Sequence, residues 1–370
     1  MAIPFVDLHA QYLSLKDDID AAIARTIANS SFVRGPDVEA FEEEYSALMG
    51  AAHTVSCANG TDALYIAMKA LGIKPGDEVI TTAQSWISTS ETIGQHGAVP
   101  VFVDIDPVTS TIDASRIAEK ITSRTVGIIP VHIYGQMADM QAVMEIAGKH
   151  GLWVIEDCAQ AHLATLNGRK AGSWGTIATW SFYPGKNLGA MGDAGAITTD
   201  DPALARHMAC FARHGGLVKG DHEMEGINSR LDGLQAAILR VKLPHLRSWT
   251  DRRRAIARRY DSLLAGIGGV ATPVEVEGRE HVYHLYVVEA EDRDGLAAGL
   301  KSRGIPTVIN YKRALPFLPA YAHLGHSPED FPVAHRLQSR ILSLPIFAEL
   351  TETQQDEVAA AVREVASVTA

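Results

Sequence analysis

The stretch Trp180-Ser-Phe-Tyr-Pro-Gly-Lys-Asn-Leu-Gly-Ala-Met-Gly-Asp-Ala-Gly195 links two apolar, strand-like runs. A single lysine, Lys186, lies in it among glycines and one proline. Glycines allow the backbone to approach a ligand closely and to adopt left-handed conformations. A lysine whose pKa is lowered by partial burial can condense with a carbonyl group as a Schiff base. Most lysines are solvated surface charges, so this stretch alone leaves both interpretations of Lys186 open.

A second informative residue, Asp157, ends the apolar run Leu152-Trp-Val-Ile-Glu-Asp157. The run is typical of a buried parallel strand, and ligands of open α/β sheets bind outside the carboxyl ends of such strands. An aspartate there can keep a pyridinium nitrogen protonated while a nearby lysine carries the cofactor, as in enzymes that use pyridoxal 5'-phosphate (PLP). The alternative for Asp157 is a helix cap.

The third segment, Asn59-Gly60-Thr61, precedes a run with the apolar spacing of a helix, Ala63 to Leu71. A glycine and a hydroxyl at a helix start offer free N–H groups and a positive dipole end, which suit a phosphate. Such caps are often purely structural. The combination of this segment with Lys186 and Asp157 is more specific than any one of them.

The middle of the chain alternates short apolar runs with helical patterns, which predicts a mostly parallel sheet with helices on both faces. The predicted strands are His53–Cys57, Glu78–Thr81, Val99–Val103, Thr125–Val131, Trp153–Glu156, Thr179–Phe182 and Ala196–Thr199. A charged helical pattern begins near Pro244. We therefore predict a large α/β domain at residues 1–245, with an N-terminal helical segment, and a smaller α+β domain at residues 246–370.

Several motifs, in this order, resemble those of the DegT/DnrJ/EryC1/StrS family of PLP-dependent nucleotide-sugar aminotransferases. They include Gly60-Thr-Asp-Ala-Leu64, Glu156-Asp-Cys-Ala-Gln-Ala-His162 and Ser181-Phe-Tyr-Pro-Gly-Lys-Asn-Leu-Gly189. The resemblance covers nearly the whole chain and includes Val131-His-Ile-Tyr-Gly-Gln136 and Leu344-Pro-Ile-Phe347. It implies the α/β fold of fold-type-I PLP-dependent aminotransferases, with a seven-stranded sheet.

The resemblance also implies roles for single residues. Lys186 would hold PLP as a Schiff base and move the proton between the substrate carbon and the cofactor's C4′. Asp157 would pair with the pyridine nitrogen, Gln160 would lie near the phenolic oxygen, and Trp86 would stack on the ring.

Gly60, Thr61 and Ser181 would bind the cofactor's phosphate. Asn228 is similar to a residue that reaches the phosphate of the neighbouring subunit, which would make the protein a homodimer with shared active sites.

The activity implied is transfer of an amino group from an amino acid, usually L-glutamate, to a nucleotide-linked keto-deoxysugar. A 3-keto sugar is preferred over a 4-keto sugar, and the product would serve surface polysaccharides or other glycoconjugates. A cyclitol aminotransferase differs only in the substrate pocket. A related PLP-dependent sugar dehydratase would usually carry histidine in place of Lys186. A non-catalytic PLP-binding regulator should carry a basic DNA-binding extension, and none is evident.

Some positions depart from the family's pattern. Leu163 stands where glycine is common, Ala194 interrupts a common Gly-Asp-Gly-Gly, and Thr176 replaces a frequent acid. The segment Asn310-Tyr-Lys-Arg-Ala-Leu-Pro316 lacks a frequent histidine. These departures concern the identity of the sugar more than the PLP chemistry.

Composition narrows the classes of partner. The net charge of −11 over 370 residues argues against nucleic acid or an anionic membrane as partner. Three cysteines without Cys-x-x-Cys spacing argue against disulfides or zinc. The N-terminus lacks signal-peptide features, so we expect a cytoplasmic protein.

Two further groups have open interpretations. The alternating run His281–Ala290 predicts a strand that places His281 and His284 on opposite faces, against a metal site. Five arginines from 252 to 259 predict either a solvated helix face or a site for the substrate's diphosphate.

Overall fold

The structure is a computed structural model that describes residues 3–369, so the outermost ends of the two predicted domains lie outside the described residues. Nine strands lie between residues 3 and 200, the described part of the N-terminal half. They are β1 (His53–Cys57), β2 (Glu78–Thr82), β3 (Val99–Val103), β4 (Thr125–Ile129), β5 (Trp153–Asp157), β6 (Thr165–Leu166), β7 (Arg169–Lys170), β8 (Ile177–Ser181) and β9 (Gly195–Thr199).

Seven of these strands form one sheet in the order β1-β9-β8-β5-β4-β2-β3. The pairs from β8 through β3 are parallel, whereas β9 is antiparallel to both of its neighbours. The predicted mostly parallel α/β sheet is therefore confirmed. The fourth strand is shorter than predicted, ending at Ile129, because Pro130 follows it and has no N–H group to donate to a neighbouring strand.

Eight helices accompany this sheet. They are α1 (Leu8–Ser14), α2 (Lys16–Ala28), α3 (Pro36–Met49), α4 (Gly60–Ala70), α5 (Ser88–Gln95), α6 (Met140–His150), α7 (Pro202–Phe211) and α8 (Gly233–Lys242). Two buried clusters cover the faces of the sheet, one around Trp180 and Phe182 and the other around Ile66 and Ile155. This packing fixes the strand ends from which the functional residues project.

The C-terminal part contains the remaining regular elements. They are α9 (Leu246–Leu264), β10 (Val270–Ala271), β11 (Arg279–Glu280), β12 (Tyr286–Ala290), α10 (Arg293–Ser302), α11 (Pro332–Leu337), β13 (Ile341–Leu344) and α12 (Glu352–Thr369). Strands β10, β12 and β13 form a small antiparallel sheet, and β11 pairs with β6 of the N-terminal part. Ile3 is buried in the C-terminal core, so the first described residue packs away from its predicted domain. The boundary at 245 stays a prediction.

The predicted strand over His281–Ala290 is wrong in its first half, because β12 begins at Tyr286. Tyr283 has a φ of 44°, which breaks the extended chain, so the alternation argument does not apply to the two histidines. His281 stacks on the ring of Tyr283 at 3.9 Å, and His284 faces a cleft.

Among residues 3–369, no helix has both the length and the apolar character that a membrane crossing requires.

Candidate active site

A cleft of about 910 Å³ opens where the C-terminal ends of β5 and β8 meet the start of α4. Seven of the eight predicted site residues line it. These are Gly60, Thr61, Trp86, Asp157, Gln160, Ser181 and Lys186. The eighth, Asn228, does not line this cleft in the single chain and instead pairs with Arg213 in a short bridge.

One end of the cleft is built as an anion site. The side chain of Asn59 accepts a 2.8 Å hydrogen bond from the amide of Asp62 and so starts α4, leaving the amides of Gly60 and Thr61 in its first turn. A Cβ atom on Gly60 would come within 2.8 Å of the Cβ of Ser181. Glycine is therefore needed for the helix start to approach Ser181, whose hydroxyl lies at the same end of the cleft.

The cleft also contains a buried carboxylate, that of Asp157. The Oδ2 atom of Asp157 accepts a hydrogen bond of 2.9 Å from the hydroxyl of Thr89, and its Oδ1 atom accepts one of 3.1 Å from the amide of Ala159. Burial raises the pKa of Asp157, while these two donors and the charge of Lys186 oppose the rise. A cationic ring nitrogen would add the full counter-charge that this carboxylate lacks.

Lys186 lines the same cleft on a tight turn that follows β8. Its amide donates to the carbonyl of Tyr183 at 2.8 Å, and Asn187 donates to the carbonyl of Val282 at 3.1 Å. A Cβ atom on Gly189 would lie 2.2 Å from the carbonyl oxygen of Pro184, so only glycine closes this turn. Burial lowers the pKa of the Lys186 amine to about 8, against the opposing charge of Asp157. Its neutral, nucleophilic form is therefore accessible near neutral pH.

A buried network surrounds Glu156, the residue that precedes Asp157 in β5. The carboxylate of Glu156 accepts hydrogen bonds from the amides of Gly172, Trp174 and Gly175, and one from Nε2 of His132. The Nδ1 atom of His132 accepts a hydrogen bond from the amide of Ala138, and its Nε2 atom carries the proton donated to Glu156. Neither ring nitrogen therefore has a free lone pair with which to bind a metal. Although Cys158 lies near this pair, the bonding is that of a structural network rather than of a metal site.

The side wall of the cleft carries Gln160. Its Oε1 atom accepts a 2.6 Å bond from the amide of Tyr134, and its Nε2 atom donates to the hydroxyl of Tyr311 at 3.1 Å. The ring of Tyr311 also contacts Trp86, with centroids 5.5 Å apart. Trp86 keeps 57% of its surface exposed, which leaves room for a planar ligand against its ring.

Several cleft residues were not predicted as site residues. They include Thr89, Arg253, His284 and Tyr311. Of the five predicted cationic residues between 252 and 259, Arg253 lines the cleft, and its pKa is lowered to about 10 by burial. The arginine pattern left a solvated helix face and a diphosphate site both open, and the buried position of Arg253 among carbonyl oxygens of Tyr283 and Ile346 has no local sequence signal.

These residues fit a phosphorylated pyridine aldehyde. An anion site at a helix start, a buried carboxylate and a lysine of lowered pKa face one cleft, which matches the three functional groups of PLP. When bound, PLP acts as an electron sink for a carbanion at the substrate carbon. On this fold, the arrangement defines a PLP-dependent enzyme.

Comparisons with known proteins place the chain more closely. A family model described as the DegT/DnrJ/EryC1/StrS aminotransferase family matches residues 14–363. The chain is 48% identical over 360 residues to the "Pleiotropic regulatory protein" of Geobacillus stearothermophilus, with 97% of each protein covered. It is 43% identical over 364 residues to dTDP-3-amino-3,4,6-trideoxy-alpha-D-glucose transaminase of Streptomyces venezuelae, with 98% of this chain and 96% of the relative covered.

A crystal structure described as S. venezuelae DesV in complex with ketimine intermediate superposes with a TM-score of 0.96 at 43% identity. The superposition covers 99% of this chain and 98% of the crystallised chain. The chain belongs to the DegT/DnrJ/EryC1/StrS aminotransferase family, and it is a PLP-dependent aminotransferase.

Proposed function

We propose that this aminotransferase moves an amino group from an amino acid, with L-glutamate as the donor, to the C3 keto group of a nucleotide-linked deoxysugar. The observation that carries the chemistry is the shared cleft of Lys186 and Asp157. Support for the ring position comes from five relatives at 40% to 43% identity, whose names place the nitrogen or the keto group at carbon 3. The amino sugar formed would serve polysaccharide or other glycoconjugate synthesis. A 4-keto sugar or a cyclitol is the alternative acceptor.

Each residue of the cleft has a task in this proposal. Lys186 would hold the cofactor through its amine, and the same amine, when free, would carry the proton between the substrate carbon and the cofactor's C4′. Its pKa of about 8 leaves a useful fraction of the amine neutral, which this task requires. Asp157 keeps the pyridine nitrogen protonated, because a buried carboxylate stabilises a cation beside it.

The remaining roles concern position. The first turn of α4 at Gly60 and Thr61, together with Ser181, binds the phosphate, and Trp86 stacks on the pyridine ring. The Nε2 of Gln160 donates to the phenolic oxygen. Arg253 supplies a buried positive charge in the same cleft, which suits the diphosphate of a sugar nucleotide or the carboxylate of the amino donor.

Borohydride trapping tests the role of Lys186. Reduction of the PLP-loaded protein should attach the cofactor to the peptide that contains Lys186. Lys242 is a matched control, because it is also buried with a pKa lowered to about 8, but it donates to the carbonyl of Gly189 and is absent from the cleft lining. Trapping at Lys242, or turnover by Lys186→Ala, would contradict the assignment.

The acceptor is tested with a panel of 3-keto and 4-keto nucleotide sugars and a keto-cyclitol, each with L-glutamate as donor. The 3-keto sugar nucleotides should give the highest kcat/KM, and NMR of the product should locate the new amine at carbon 3. A product aminated at carbon 4 would replace this proposal with its alternative.

We propose further that the protein is a homodimer and that Asn228 serves the active site of the partner subunit. Exposed apolar side chains at Phe32, Val33 and Met191 support this, because they adjoin the segment that follows Asn228. Val33 pairs with Asp232 in a short bridge, and the amide of Met191 donates to Gln235. Large exposed apolar groups that cluster in this way mark protein interfaces.

Hybrid dimers test the shared site. Lys186→Ala and Asn228→Ala homodimers should both be weak or inactive. A hybrid of the two contains one site with an intact lysine and an intact asparagine from its partner, so mixing after reversible dissociation should restore activity. No restoration in proven hybrids would place Asn228 in its own subunit's site or outside both.

A further inference from the structure

Tyr134 has an unusual backbone conformation next to the cleft. Its φ of 60° lies in the left-handed region, which costs a non-glycine residue about 1 to 2 kcal/mol. A bulky side chain in this conformation must be held there by its surroundings. The residue is buried, and its carbonyl accepts a hydrogen bond of 3.2 Å from the amide of Leu285.

The phenol of Tyr134 ties together two segments of the cleft wall. It accepts a hydrogen bond of 3.3 Å from Nε2 of Gln84, and it donates to the carbonyl of Asn310. Gln84 lies two residues after the end of β2 and two residues before Trp86, while Asn310 precedes Tyr311. Burial raises the pKa of Tyr134, so the phenol keeps the proton that it donates.

The conformation of Tyr134 fixes which end of the Gln160 amide faces the cleft. A backbone amide can only donate, so the Gln160 atom 2.6 Å from the nitrogen of Tyr134 must be the oxygen. The NH₂ group of Gln160 is then the end that turns toward Tyr311 and the cleft. If the amide were reversed, its oxygen would face the cleft, and two donors would meet at Tyr134.

We propose that Tyr134 is a positioning residue for the cofactor. Held between Gln84 and Asn310, it aims its backbone N–H at Gln160 and so keeps a hydrogen-bond donor, rather than an acceptor, turned toward the cofactor's phenolic oxygen. The proposal rests on the function proposed above, in which Gln160 lies beside that oxygen. A donor there withdraws charge from the oxygen and weakens its hold on the proton that it shares with the lysine nitrogen.

The test follows the visible absorbance of the PLP-loaded protein as a function of pH, without substrate. Gln160→Glu keeps an acceptor for the Tyr134 amide but turns a negative oxygen to the cleft, so the midpoint of the spectral transition should rise by about one pH unit or more. Tyr134→Phe removes only the phenol's two bonds and should raise the midpoint by a smaller amount. The other ionisable groups of the cleft, which include Asp157, Lys186, Asp193, Arg253 and His284, are unchanged in both variants.

Two further variants separate positioning from a general loss of structure. Tyr286→Phe removes another buried phenol, which donates to Asp261 away from the cleft, and should leave the midpoint unchanged. In a Gln160→Ala background, Tyr134→Phe should produce no additional shift, because its effect passes through Gln160.

Four outcomes of these experiments decide the proposal. A midpoint of Tyr134→Phe equal to that of the wild type would overturn it, as would a full additional shift in the Gln160→Ala background. If Gln160→Glu itself left the midpoint unchanged while the visible band formed, the place proposed for Gln160 would be wrong and the positioning role would fall with it. If the wild type formed no visible band that depends on Lys186, the proposed function would be wrong, and the positioning role of Tyr134, which rests on it, would be wrong as well.

Discussion

The hydroxyl of Thr89 donates a hydrogen bond of 2.9 Å to the Oδ2 atom of Asp157, joining the first turns of α5 to the end of β5. The bond opposes the rise in the pKa of Asp157 that burial causes. It therefore helps to keep the carboxylate ionised at the place where the function proposed here puts the cofactor's ring nitrogen.

Replacing Thr89 with valine should weaken cofactor binding. A hydrogen bond to a charged group contributes about 1.5 to 3 kcal/mol, which corresponds to a loss of about tenfold to a hundredfold in affinity. Equilibrium dialysis of PLP against the apo-protein measures the effect. Thr92→Val is the matched control, because Thr92 is buried on the same helix and donates to the carbonyl of Ser88 instead. Equal losses in both variants would show that helix stability, not Asp157, is responsible.

The rate at which the apo-protein captures PLP should depend on pH through Lys186. Only the neutral amine attacks the aldehyde, so the second-order rate constant should fall about tenfold per pH unit below the pKa and level off above it. With its pKa lowered to about 8, the plateau should begin near pH 8 rather than near the ordinary lysine value of 10.5. Asp157→Asn removes a charge that raises this pKa and should move the midpoint down. Stopped-flow absorbance measures the rate, and a rate still rising tenfold per unit at pH 9 would disagree with a buried amine.

Gly60→Ala should lower PLP affinity while the protein remains folded. The added Cβ would lie 2.8 Å from the Cβ of Ser181, so the helix start and Ser181 must separate. Overpacking of this kind costs about 1 to 3 kcal/mol, equivalent to roughly tenfold to a hundredfold in affinity. Gly148→Ala in α6 is the control, because a Cβ there meets open space and should leave affinity unchanged. An unchanged dissociation constant for Gly60→Ala would argue against a phosphate at this helix start.

At position 163, a glycine variant should be more stable than an alanine variant, which is the reverse of the usual order. The φ of Leu163, 68°, lies in the left-handed region that favours glycine, yet its side chain is buried in the core around Trp180. Both truncations should destabilise the fold by about 2 to 5 kcal/mol, because a buried leucine is lost. Leu163→Gly should nevertheless be about 1 kcal/mol more stable than Leu163→Ala, since only glycine relieves the left-handed strain.

Leu239 provides the matched comparison for Leu163. It is buried within α8, so the Leu239→Ala variant should be more stable than the Leu239→Gly variant by about 1 kcal/mol. Urea and thermal unfolding of the four variants measures both rankings. The same order at both positions would contradict a strained backbone at Leu163.

Local sequence was sufficient to predict the sheet, and together with the resemblance to the family it predicted most of the cleft. Strand ends follow apolar runs that stop at polar residues, and parallel strands bring those ends to one edge. That is why Asp157 and Lys186 could be expected together before any contact was known, whereas the place of Ser181 was implied by the resemblance to the family. The strand predicted to begin at His281 was wrong, because an alternating sequence pattern does not indicate the positive φ at Tyr283.

What the sequence by itself determined about this protein is the order of elements and the identity of the reactive groups, since both follow from short-range periodicity and side-chain chemistry. The tertiary structure alone decided which of five neighbouring arginines is buried and how Thr89 and Tyr134 support Asp157 and Gln160. The physical reason is that hydrogen bonds and burial depend on distances between segments far apart in the chain, such as the 68 residues between Thr89 and Asp157 and the 176 between Tyr134 and Asn310, for which the local sequence carries no signal.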